Sequence, residues 1–81
     1  MTEAERIDRK LRRFRRIDAS YHAEIRRALE RSRAETVDPL KARERYEKLR
    51  DRAERKIDRL LPKIKALTNR REELKHARGK G

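Results

Sequence analysis

Arg9, Lys10, Arg12, Arg13, Arg15 and Arg16 crowd into one eight-residue run, broken only by Leu11 and Phe14 and by no acidic residue. Guanidinium and ammonium groups at this density do one kind of chemistry well: they hold phosphate. The planar fork of Arg matches two phosphate oxygens at once. Neutralising a polyanion also releases its condensed counterions, a large and salt-sensitive driving term. A second basic group, Lys63, Lys65, Arg70, Arg71 and Lys75, lies near the other end of the chain. These eleven residues are the candidate phosphate contacts. Recognition of backbone and shape is expected, because zinc-finger spacing, an RNP aromatic pair and a KH-type glycine loop are all missing. The alternative is a solvated face that only keeps the protein soluble.

Other chemistry finds little to work with. The chain has no cysteine, which removes disulfides and thiolate sites. His22 and His76 are far apart, and position 26 is Arg and position 80 is Lys, so neither has a metal-ligand partner at helical spacing. Ser20 and Ser32 have no base nearby, and neither a phosphate loop nor a dinucleotide fingerprint is present. No enzyme activity, metal or cofactor is expected. Glu35 and Asp38 could hold a metal ion at the tip of a finger, but capping and turn roles account for them more simply.

The elements that carry these residues follow from periodicity. Thr2 and Glu5 form a capping box. Ile7, Leu11, Phe14, Ile17, Tyr21, Ile25 and Leu29 then recur in steps of three and four, which is one face of a helix. The spacing predicts a helix over about 3–34. Asp38-Pro39 reads as an N-cap followed by a first-turn proline, so the turn falls at about 35–38 and a second helix starts at 39. That helix carries Tyr46, Leu49, Ala53, Ile57, Leu60, Ile64, Leu67 and Leu74, with Arg71 at a seam position, and should reach about 76 before a frayed tail at 77–81. Pro62 lies inside it. Because the apolar phase continues from Leu60 to Ile64, a kink is expected there; a break at Leu61 is the alternative.

The expected fold is therefore all-α, a single domain over 1–81 built as an antiparallel two-helix, coiled-coil-like hairpin. Hinging it at Val37 pairs residues whose numbers sum to about 74: Ile7 with Leu67, Phe14 with Leu60, Ile17 with Ile57, Tyr21 with Ala53, Ile25 with Leu49, and Asp18 with Lys56. In that register Leu74 has no partner, which marks it for self-association. At 33% apolar and 52% charged residues, one seam makes a thin core. Completion to a bundle, by a homodimer or a protein partner, is expected. The same composition can signal disorder, but the regular apolar spacing argues against it.

Net charge is +12, with the second quarter of the chain neutral and the last quarter the most basic. Folding the hairpin would gather positive charge at its open end. Asp8 with Arg12, Glu44 with Lys48 and Asp51 with Arg55 are spaced to pair at i,i+4. The function expected is a basic helical module bound to nucleic acid or a ribonucleoprotein. A structural coiled-coil adaptor is the alternative. No run is apolar enough to span a membrane, and the acidic start is unlike a signal peptide. A cytoplasmic, nucleoid- or virion-associated protein is expected, with membrane adsorption disfavoured by the absence of Trp.

Overall fold

A computed structural model describes residues 1–79 of the chain. They form helix α1, Glu3–Ala34, and helix α2, Pro39–Gly79, with no strand among the described residues. The helices fold back on each other as an antiparallel hairpin, a rod of 66 × 17 × 17 Å.

Each helix start is fixed by its own sequence. The Thr2 hydroxyl accepts from the Glu5 N–H at 3.2 Å and donates to the Glu5 carboxylate at 3.2 Å. One orphan N–H of the first turn is thus capped, and the Glu5 carboxylate reaches back to the hydroxyl of the cap. At the hinge, Asp38 Oδ1 accepts from the Lys41 N–H at 3.2 Å, and the Asp38 carbonyl accepts from Ala42 at 3.1 Å. The Glu35 carboxylate accepts from the Val37 N–H at 3.0 Å, while the Glu35 N–H closes α1 onto Ser32. Both acidic residues of the tip are therefore occupied in shaping the turn.

The core is one seam. Ile7, Leu11, Ala28, Ala42, Ala53, Ile57 and Leu60 are buried in it, and no buried polar side chain occurs among the described residues. The larger side chains Phe14, Tyr21, Ile25, Leu49, Ile64 and Leu67 are only half-buried. Two helices cover each other along a single stripe, and the shoulders of that stripe stay wet.

The register differs from the pairing expected for a hinge at Val37. Tyr21 meets Lys56, Ala28 shares a groove with Leu49, and Asp8 meets Arg71. These partner numbers sum to 77–79, up to about one helical turn beyond the expected register, while Glu3 with Arg70 on the other flank sums to 73. The cause is at the hinge. The first turn of α2 belongs to the crossing: Leu40 is 77% exposed, and Ala42 is the first α2 residue in the seam. The midpoint of the fold moves from Val37 towards Pro39. Leu74 consequently has an intrachain neighbour, because it lines one groove with Thr2, Glu3 and Ala4 and is half-buried. Its lack of a partner, the ground for assigning it to self-association, does not hold.

Helix α2 passes through Pro62 without a break, so the three-helix alternative is not adopted. The missing proline N–H leaves the carbonyl of Asp58 without its helical donor. Asp58 and Pro62 are both exposed, so water can reach the orphaned oxygen. The helix also runs on to Gly79, past the end expected at 76. Of the tail expected to fray, residues 80–81 lie outside the described residues.

Candidate nucleic-acid interface

The Arg9–Arg16 run does not form one patch, because consecutive residues on a helix point about 100° apart. Arg12 and Arg15 line a groove with Asp8, Leu11, Thr68, Arg71 and Glu72 on one face of the hairpin. Lys10 lies seven residues after Glu3, which meets Arg70 on the opposite face. Arg13, a turn further on, follows Lys10 to that side. Arg9 and Arg16 occupy the outer side of α1, away from the seam. All six are exposed.

The second basic group divides as well. The Arg70 guanidinium donates to Glu3 at 2.8 and 3.3 Å and to Glu73 at 3.0 Å. These hydrogen bonds hold the Glu3 carboxyl below its ordinary value and push the Arg70 guanidinium above its own. Arg71 Nε donates to Asp8 Oδ1 at 3.0 Å, which satisfies the charged residue that the α2 spacing places at a seam position. Arg70 and Arg71 therefore lock the open end, and neither is a free cation. Asp8 pairs across the hairpin rather than with Arg12, whose Nε reaches only the Asp8 carbonyl at 3.5 Å. Glu44–Lys48 and Asp51–Arg55 are not among the ion pairs of the described residues; Arg43–Glu47 and Arg50–Glu54 form instead. Lys63 and Lys65, two residues apart, point to different sides of α2, and Lys75 stands one turn beyond Arg71 on the face away from Lys63.

What the structure assembles instead is a stripe on α2. Arg45, Lys48, Arg52, Lys56, Arg59 and Lys63 follow one another in steps of three and four, with no acidic residue at that angle. All six are exposed, and none makes an ion pair among the described residues. Arg45, Lys48, Arg52 and Lys56 line one groove beside Glu24 of α1, and the Lys56 ammonium sits 5.5 Å above the Tyr21 ring. The stripe runs about 27 Å at 1.5 Å per residue. Lys10 and Arg13 extend the same face across α1.

Helix α2 carries an acidic stripe too. Glu44, Glu47, Asp51, Glu54 and Asp58 also step by three and four, and all are exposed. Apolar, basic and acidic residues thus occupy three lines around one helix, roughly a third of a turn apart. Along the chain the two signs alternate as neighbours: Glu44-Arg45, Glu47-Lys48, Asp51-Arg52, Asp58-Arg59. A reading by linear charge density sees this segment as mixed and passes over it. Angular position, sorted at the helical period, would have found it. The positive surface is therefore a face running along the rod, and it reaches towards the hinge as well as the open end.

The grooves between the helices are open, and no group of three or more His, Asp or Glu able to hold a metal occurs among the described residues. No helix among them is long and apolar enough to cross a membrane. Compared with known protein families, with curated proteins and with solved structures, the chain matches none of them.

Proposed function

We propose that this hairpin is a nucleic-acid-binding module, not an enzyme, and that it grips phosphates through the basic face of α2. The carrying observation is the line of Arg45, Lys48, Arg52, Lys56, Arg59 and Lys63, exposed and without ion pairs among the described residues. Lys10 and Arg13 of the α1 run join it. A cation already matched by a carboxylate gains little from phosphate, so Arg70 and Arg71 act as fasteners of the scaffold. The acidic line on the outer side of α2 repels a polyanion from there, which directs binding to one face.

Fluorescence anisotropy with labelled nucleic acid tests the reading. Six phosphate contacts give a log–log salt slope of about −5, or about 10³-fold weaker binding between about 50 and about 200 mM salt. Failure to bind at the lower salt overturns it.

A second reading rests on the half-buried shoulders of the seam and on the apolar hinge, where Val37 is 91% and Leu40 77% exposed. A second copy or a protein partner packed there would complete a bundle, and the chain would serve as a coiled-coil adaptor. Sedimentation equilibrium separates the two. A dimer whose melting temperature rises with concentration supports the adaptor; a monomer indifferent to concentration removes self-association.

A further inference from the structure

The basic face is selective about what form of polyanion suits it. Its cations follow one another along one continuous helix of a straight-sided rod 66 Å long, with spacings set by the backbone. A double helix is also straight and stiff on this scale, with a persistence length of about 50 nm and one charge per about 1.7 Å of axis. A single strand has a lower charge density and must be straightened to follow the stripe. Proteins that favour single strands recover that cost by stacking bases on exposed aromatic rings. This surface has no free ring to offer. Phe14, Tyr21 and Tyr46 are half-buried, Lys56 covers Tyr21, and the Arg50 guanidinium sits 5.7 Å over Tyr46.

The face is also poorly made for reading bases. The rod is 17 Å across, wider than the major groove of about 12 Å, so a face built from both helices rests on the backbone ridges. The stripe contains no Ser, Thr, Asn or Gln to bond a ribose hydroxyl, the group by which proteins tell RNA from DNA.

We infer that the ligand is the phosphate backbone of a double helix, bound on one face along about 8 base pairs, without regard to base sequence or sugar. The inference rests on the nucleic-acid reading above and narrows it.

The test compares three labelled polymers with the full chain at about 0.1 M salt: duplex DNA, duplex RNA, and a DNA strand that cannot pair with itself. Slopes of about 0.9 per contact for duplex and about 0.7 for single strands diverge below the screened limit near 1 M. Six contacts then favour duplex by about tenfold at the working salt. That preference, with the two duplexes equal within error, is the expected result. A single strand bound as tightly as duplex overturns the duplex inference and leaves nucleic-acid binding standing. A strong preference between the two duplexes overturns the indifference to sugar. No binding by any polymer removes both readings together.

Discussion

Reversing two charges on the α2 stripe should separate the face that binds from the faces that do not. Arg52 and Arg59 are exposed and make no ion pair among the described residues. Arg52→Glu leaves a carboxylate between Lys48 and Lys56, four residues away on either side, and Arg59→Glu places one four residues before Lys63. These new i,i+4 pairs are each worth about 0.2–0.5 kcal/mol, and Glu is as good a helix former as Arg. The double variant should therefore melt no lower than the parent, and lost binding cannot be charged to unfolding. Each contact removed lowers the salt slope by about 0.9, so the pair lowers it by about 1.8, equivalent to about 60-fold at about 0.1 M salt relative to the limit near 1 M. Repulsion by the new carboxylates adds to that loss. Arg9→Glu with Arg16→Glu, on the outer side of α1, makes the same change in net charge. Anisotropy titrations at several salt concentrations read both variants. If the α1 pair lowers the slope and the α2 pair does not, the assignment of the face is wrong. If the two pairs act alike, net charge alone is at work and no face is assigned.

Further outcomes follow from the scaffold. Pro62→Ala restores the helical donor for the Asp58 carbonyl; a gain of about 3 kcal/mol, less about 1 for the freer unfolded chain, should raise the melting temperature by roughly 10 °C by circular dichroism, and no rise would show that the orphaned carbonyl costs nothing. Leu60→Ala removes a buried seam side chain and should cost about 2 kcal/mol in a denaturant titration, the low end for such cavities because solvent is near; a negligible cost would mean that the seam is not the core. Glu3 is held below its ordinary value of 4.5 by its hydrogen bonds from Arg70, so its contribution to stability is present above that pH and lost as pH falls through the lowered value. Glu3→Gln should flatten that part of the melting-temperature profile, and an unchanged profile would exclude the pair. Leu74→Lys should loosen the open end of a monomer, seen as faster amide exchange in residues 3–8; an effect confined to oligomeric state would return Leu74 to an intermolecular role.

The all-α hairpin was legible because the seam is written in large residues at helical spacing. Ile7, Leu11, Ile57 and Leu60 are buried where their period puts them. Ala28 and Ala42 are buried too, yet a stripe traced through large side chains passes them by. The register is not legible from a symmetric hinge, because the Asp38 cap starts α2 before the chain has finished crossing. The interface was legible in kind but not in place. Density along the chain singles out eleven cations, and two of them, Arg70 and Arg71, have carboxylates across the hairpin that only the fold brings near. Lys63 alone of the eleven belongs to the α2 stripe, with Lys10 and Arg13 beside it from α1.

The long separation of the open-end pairs bears on how the hairpin comes together. Glu3 and Arg70 are 67 residues apart, and Asp8 and Arg71 are 63 apart, whereas Glu35 and Ala42 line one groove directly across the hinge. Closing a short loop costs less entropy than closing a long one, so contacts should form first at the hinge and zip towards the termini. Opening runs the other way. The Glu3–Arg70 and Asp8–Arg71 latches then set how often the rod splits from its free end, and amide protection should decline steadily from the hinge outward. Uniform protection along both helices would mean instead that the rod opens all at once.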